Sequence, residues 1–298
     1  MLLELCAMKR SAHPVRNLVA SIVGVLVITG ALVWWTVAQP VPSYRGQFQV
    51  DAGQFPWTVA TLTDDGSSFN CGGVMISHQW VLSAKHCYQN LQADDVQVRV
   101  GSTDWDRGGS LAGVAAIELQ PDPNQDLAML RLAQPLDRSF VSIGAPASAY
   151  QVGTGAETVG WGTQSQRSQD YRTNLRWTHQ VISKPSNCGG GVNGVFCAGR
   201  PNGQGSGTCD GDSGGPLLWS AAGFDANGAA IGTPYVLGTL RGLNNSSCYL
   251  PGHNDDWQSV DFGLSWINSV LTAQPDDPIP ANAQPSAAVP SAAKPTAS

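Results

Sequence analysis

A serine hydroxyl becomes a covalent nucleophile when a base takes its proton and donors receive the charge that develops on the substrate. The stretch Cys209-Asp210-Gly211-Asp212-Ser213-Gly214-Gly215-Pro216 fits half of that requirement. Ser213 is the candidate nucleophile. Gly211 lacks a Cβ, so its backbone can turn its N–H, with that of Ser213, toward one point, and each such donor contributes roughly 2.7–4 kcal/mol. Glycine, aspartate and serine also dominate ordinary surface turns, so a base and an orienting acid must be found elsewhere. His86 ends the apolar run Trp80-Val81-Leu82-Ser83-Ala84-Lys85-His86-Cys87, and Cys71-Gly72-Gly73 offers a second cysteine that would pin its loop. A neutral imidazole there would take the hydroxyl proton and later deliver it to the leaving group. Asp126 opens the apolar run Leu127–Leu132, which would carry its carboxylate into a buried position facing the imidazole N–H. The bland alternative is an aspartate that merely ends the turn Pro121-Asp122-Pro123-Asn124, a role that Asp122 shares.

The elements that must hold these residues read as strands. Val96–Val100 and Leu175–Ile182 alternate as half-buried strands do, Leu127–Leu132 is apolar throughout, and Tyr235–Leu240 is a further strand. Only Leu264–Leu271 has helical spacing. With 34 glycines and few long 3.6-residue periods, an all-β chain of short strands and tight turns is expected. Charged residues make up 13% and the net charge is −6 without basic runs, which argues against a nucleic-acid partner. Of seven cysteines none forms a C-x-x-C pair, so no metal site is expected. Cys6 stands apart, and the even set of Cys71, Cys87, Cys188, Cys197, Cys209 and Cys248 suits disulfides in an oxidising compartment. Their spacing leaves the pairing open.

Residues 1–17 carry Lys9, Arg10 and Arg16 ahead of the apolar run 18–38, with Trp34 and Trp35 near its far end. As a helix that run spans roughly 30 Å, a bilayer core, with its N-terminus cytoplasmic. The competing reading is a cleaved signal peptide ending at Thr36-Val37-Ala38. Either way the remainder is extracytoplasmic, anchored to the membrane or secreted. A linker (39–43) leads to the globular part, 44–273, and the Pro/Ala/Ser-rich residues 274–298 read as a disordered tail.

Taken together, Cys71-Gly72-Gly73, Ser83-Ala84-Lys85-His86-Cys87, Asp126-Leu127-Ala128-Met129-Leu130, Gly160-Trp161-Gly162, Gly211-Asp212-Ser213-Gly214-Gly215-Pro216 and Ser265-Trp266-Ile267 resemble the trypsin/chymotrypsin family of serine endopeptidases. The chain order His, Asp, Ser is also that family's. The resemblance covers roughly 44–271. It implies two antiparallel six-stranded β-barrels that meet near 145–150, a C-terminal helix, and a site in the cleft between the barrels. It further implies a triad of His86, Asp126 and Ser213, an oxyanion hole of Gly211 and Ser213, and disulfides Cys71–Cys87, Cys188–Cys197 and Cys209–Cys248. A monomer that needs no cofactor and acts on protein or peptide substrates follows. The competing class is a binding or regulatory module on the same scaffold that does not mature.

The chain departs from the family's pattern at four places. Members usually activate by freeing a small apolar N-terminus whose amine pairs with the acid before the nucleophile, here Asp212; the matching position is Tyr44, in Tyr44-Arg45-Gly46-Gln47. Asp212 is therefore expected to pair with an amine or a polar side chain. Lys85 stands where the family commonly has alanine and is expected to point to solvent. The primary pocket, expected around Gly207, Thr208, Asp210, Arg241, Gly242 and Asp255, has Gly207 where trypsins carry a carboxylate. Asp255 falls where a pocket glycine is usual and would relocate that charge, with Asp256 as its neighbour; alternatively His253-Asn254-Asp255-Asp256 is a surface loop. Arg241-Gly242-Leu243 replaces the usual Ser-Trp-Gly, and Asn244–Ser247 matches a glycosylation acceptor pattern.

Overall fold

The computed structural model describes residues 47–163, 171–205, 207–243, 248, 251–252 and 254–279. The apolar run 18–38, Tyr44, the acceptor pattern at 244–247 and the tail from 280 lie outside them. Among the described residues no helix is long and apolar enough to cross a membrane.

Six strands close the first barrel: β2 (Thr58–Thr63), β3 (Ser68–Met75), β4 (Trp80–Ser83), β5 (Gln97–Val100), β6 (Ser110–Leu119) and β7 (Ala128–Leu132), in the order β2-β3-β4-β7-β6-β5. The second barrel takes β8 (Gly155–Gly160), β9 (Arg176–Ser183), β10 (Val195–Gly199), β11 (Pro216–Ser220), β12 (Pro234–Leu243) and β13 (Asp255–Ser259). It runs β8-β9-β10-β13-β12-β11 and closes through β11–β8. All pairings within the two barrels are antiparallel. A short strand, β1 (Phe48–Gln49), precedes the first barrel in sequence yet pairs with β9 of the second, Phe48 opposite Trp177.

The apolar patterns explain this layering. β5 alternates, burying Val98 and Val100 and turning Gln97 and Arg99 outward. β4 and β7 are paired and buried on both faces: Val81, Ala128, Leu130 and Leu132 fill the first barrel, whereas Trp80, Leu82, Leu127 and Met129 join a second apolar cluster. That cluster includes Trp161, Trp177, Leu218 and Val236 of the second barrel and Ile267 and Val270 of the C-terminal helix. Two-sided burial is the reason Leu127–Leu132 lacks alternation. It also anchors, at the ends of β4 and β7, the turns that carry His86 and Asp126.

The helix runs Val260–Ala273, beginning four residues before the apolar period does because Ser259 caps it, Oγ accepting from Phe262 N at 3.2 Å. Beyond it, residues assigned by composition to the tail dock on the first barrel. Trp80 Nε1 donates to Gln274 O at 3.0 Å, Ser77 Oγ to Asp276 Oδ1 at 2.8 Å, and Arg131 pairs with Asp277 at 3.1 Å. A proline-rich composition says nothing about these specific hydrogen bonds. The disulfides are Cys71–Cys87, Cys188–Cys197 and Cys209–Cys248.

Candidate active site

β4 delivers the chain into a single 3-10 turn, Lys85–Cys87, which the Cys71–Cys87 bridge ties back to β3. His86 lies on this turn and Asp126 immediately before β7. One carboxylate holds the histidine twice: Asp126 Oδ1 accepts from His86 N at 2.8 Å and Oδ2 faces Nδ1 at 2.7 Å. A carboxylate at Nδ1 assigns the proton to that nitrogen and leaves Nε2 as an acceptor. Asp126 is 8% exposed, and its own N–H donates to Gln258 Oε1 of the second barrel at 3.1 Å, so both barrels position it. Asp122 does turn chemistry. Its carboxylate accepts from Asn124 N and Gln125 Nε2, and these bonds hold it below the usual carboxylate range. The ring nitrogen of His86 approaches the sulfurs of Cys71 and Cys87, but those sulfurs are joined to each other and offer no thiolate to a metal.

Lys85 does not point to solvent. It is buried, and Nζ donates to Gln120 O at 2.9 Å and Asp122 O at 2.6 Å. The expectation failed because burial of a lysine depends on carbonyls waiting at the right distance, and those belong to a loop 35 residues away. The ammonium thereby clamps the loop that leads into Asp126.

Ser213 sits in the turn before β11. Gly72 N donates to Ser213 O at 2.8 Å, and a Cβ on Gly214 would lie 3.0 Å from Ala84 N, two residues before His86. The Ser213 turn is thus packed against the His86 turn. Gly211 has φ +95° and Gly214 φ +74°, a region that favours glycine.

Asp212 points away from Ser213 into the second barrel. It is buried; Oδ1 accepts from Gly162 N at 2.8 Å and Oδ2 from Cys209 N at 2.9 Å. Gly160 and Gly162 form the cradle, since a Cβ on either would lie 2.1 Å from a carboxylate oxygen. Burial pushes its pKa up to about 6, against the opposing pull of the two N–H bonds and the Arg172 charge. Among the described residues its hydrogen-bond partners are these two backbone N–H groups, and Tyr44, whose amine is the expected partner, lies outside them. The turn after β8 aims the Gly162 N–H and the local Cys209–Asp212 turn aims the Cys209 N–H, and Arg172 has no sequence signal linking it to this carboxylate.

The predicted pocket residues divide. Gly207 N donates to Asp255 Oδ2 at 3.3 Å, so the carboxylate lies directly behind Gly207. A Cβ on Gly207 would lie 2.0 Å from Gln180 Nε2 and 2.6 Å from Thr178 Cγ2, so these side chains occupy the space a longer residue would need. Asp255 opens β13 and is fully buried, which makes it part of a barrel strand and not of a surface loop. Its neighbour Asp256 faces the other way: its Oδ1 accepts from Gly189 N at 3.0 Å, and partial burial raises its pKa. Thr208 is buried beside Gly207, and Asp210 O accepts from Thr163 N at 2.9 Å. Arg241 and Gly242 lie on β12, where a bulge precedes Gly242 and a Cβ there would meet open space.

Comparisons with known proteins bear on the family of the chain. The sequence profile described as Trypsin matches residues 44–240. The chain is 34% identical over 179 residues to trypsin alpha of Drosophila erecta, covering 55% of this chain and 68% of the relative. It is 31% identical over 203 residues to trypsin 5G1 of Aedes aegypti (62% and 74%), and 29% identical over 234 residues to human kallikrein-14 (72% and 79%). Two closed antiparallel barrels, their disulfides and this extended match lead to one conclusion: the chain belongs to the trypsin family.

Proposed function

We propose that the protein is an extracytoplasmic serine endopeptidase that cleaves peptide bonds through an acyl-enzyme. The observation that carries this reading is the double hold of Asp126 on His86, which supports Nε2 as the base for Ser213. Ser213 Oγ attacks the carbonyl carbon while its proton passes to Nε2, and the imidazolium is stabilised by Asp126. The Gly211 and Ser213 N–H groups receive the oxyanion. Nε2 then gives its proton to the departing amine, and water repeats the sequence to release the acid. A fluorophosphonate probe tests the reading: Ser213 becomes labelled, and labelling disappears in Ser213→Ala and in His86→Ala. A purified wild-type domain that resists labelling under every processing condition refutes it and favours a binding module.

Asp255 directs this activity to peptide bonds after arginine or lysine. Its carboxylate behind Gly207 supports the assignment, because a charge at the pocket base pairs with a cationic side chain that has left water. Asp255→Ala removes that selectivity, read as the ratio of kcat/KM for Arg- and Leu-containing peptides that otherwise match. An unchanged ratio refutes it. The three disulfides support an oxidising, extracellular compartment.

A further inference from the structure

Asp126 is held from two directions. Its carboxylate faces His86, and its backbone N–H donates to Gln258 Oε1 at 3.1 Å. The ladder of β7 begins at Ala128, so this N–H takes its acceptor from a side chain of the other barrel. Gln258 is fully buried in β13, its backbone paired with Val195 of β10 on one side and Thr239 of β12 on the other. The other end of its amide is engaged as well, with Nε2 donating to Asn193 O at 3.1 Å. These partners fix the orientation of the amide, because a backbone N–H requires its oxygen and a carbonyl requires its nitrogen.

Asn193 belongs to the loop that the Cys188–Cys197 bridge closes. The loop folds on itself, Gly191 N donating to Val195 O at 2.8 Å and Val195 N to Val192 O at 2.9 Å. Two further bonds seat it on β13, from Gly189 N to Asp256 Oδ1 at 3.0 Å and from Ser259 N to Gly194 O at 2.9 Å. Of these three ties between loop and strand, the one through Gln258 alone continues into the first barrel. Asn193 is exposed. One rigid side chain thus connects a surface loop, closed by a disulfide, to the backbone of Asp126.

We infer that Gln258 is a positioning residue for the His86–Asp126 pair, and that through it the closed Cys188–Cys197 loop sets the rate of the chemical step. The inference rests on the peptidase reading. With both ends of the amide bonded, the Asp126 backbone cannot rotate without breaking a buried bond, so the carboxylate keeps its 2.7 Å contact with Nδ1. Opening the bridge frees Asn193 O, deprives Gln258 of its second partner and loosens that hold.

Gln258→Met keeps the length of the side chain and removes both bonds. In this variant kcat for a reporter peptide falls about tenfold or more with KM within about twofold, because the loss is one of orientation. The proton NMR signal of His86 Nδ1–H, moved downfield by its bond to a carboxylate, broadens. Cys188→Ser/Cys197→Ser lowers kcat about threefold or more when Gln258 is present and less than about 1.5-fold in Gln258→Met, where the route is already cut. Urea unfolding reports that each variant is folded. Unchanged kcat in Gln258→Met, or a lower kcat with the Nδ1–H signal of wild type, overturns the positioning role. Equal losses on opening the bridge in both backgrounds overturn the part of the loop. Should Gln258→Met not fold, the bridge-opened protein decides alone: lower kcat with a broadened Nδ1–H signal upholds the inference, and an unchanged signal overturns it. Wild-type protein that neither labels with fluorophosphonate nor cleaves overturns the peptidase reading and the inference with it.

Discussion

Replacing Gly162 by alanine adds one methyl group and should be among the most damaging small substitutions in the chain. Gly162 does not have a positive φ, so alanine is not excluded by backbone conformation and the effect is the clash alone. The new Cβ would stand 2.1 Å from Asp212 Oδ2 and 2.4 Å from its Cγ. The carboxylate has nowhere to swing, because Oδ1 is held by Gly162 N and Oδ2 by Cys209 N. Overpacking costs about 1–3 kcal/mol and a lost hydrogen bond to a charged group about 1.5–3 kcal/mol, so a loss of about 3–6 kcal/mol is expected. That is a large share of a typical domain's stability, about 5–15 kcal/mol. Because Asp212 lies between Gly211 and Ser213, its displacement also turns the proposed oxyanion donors, and labelling of Ser213 should slow by roughly 10²-fold or more. Urea unfolding with the disulfides intact measures the first effect and fluorophosphonate labelling the second. Gly113→Ala, where the nearest atom is Ala133 Cβ at 4.0 Å, is the neutral control. In a double-mutant cycle Gly162→Ala should do no further harm once Asp212 is alanine. Gly162→Ala protein that unfolds within 0.5 kcal/mol of wild type and labels at the wild-type rate refutes the cradle.

Asp212 also sets a pH dependence. Its pKa is raised in the fold to about 6, above its ordinary 3.8, so the native state holds a proton that the unfolded chain has released. Its contribution is fully present below pH 4 and is lost as pH rises through 6, by about 3 kcal/mol; the stability difference between wild type and Asp212→Asn should shift by that order between pH 4 and 7, and a constant difference counts against it. Lys85→Met leaves the carbonyls of Gln120 and Asp122 without their donor, at about 1–3 kcal/mol each, and loosens the approach to Asp126. We expect kcat to fall about tenfold with KM changed less than twofold, and Lys85→Arg to restore part of it; unaltered kinetics in Lys85→Met would show that the clamp does not position Asp126. Ending the chain at Ala273 removes the Trp80–Gln274, Ser77–Asp276 and Arg131–Asp277 contacts and should lower stability by roughly 1–3 kcal/mol, since surface pairs are individually weak. A truncated protein with the full-length urea midpoint would dismiss the docking as incidental.

Much of this was legible before any coordinates. The runs around His86, Asp126 and Ser213 stand out by residue type and order, and the structure brings Asp126 to His86. Strand positions followed from period-two burial in β5 and from continuous apolar character in β7. The helix was found but begun late, because a cap residue such as Ser259 leaves no apolar period. Asp255 falls in sequence where the family has a pocket glycine, and as the first residue of β13 it lies behind Gly207. Lys85 was misread. Its type favours solvent, and only the carbonyls of Gln120 and Asp122 reverse that preference.

What the sequence determined by itself was the candidate residues: a serine in a glycine-rich turn, a histidine beside a cysteine, and an aspartate at the head of an apolar strand. Each depends on neighbours within a few residues. What only tertiary structure decided was how distant segments meet. The Gly162 partner of Asp212, the clamp of Lys85 and the carboxylate behind Gly207 are contacts between strands and loops remote in sequence. Barrel closure brings such groups within hydrogen-bond or van der Waals reach, and no local pattern encodes a distance of that kind.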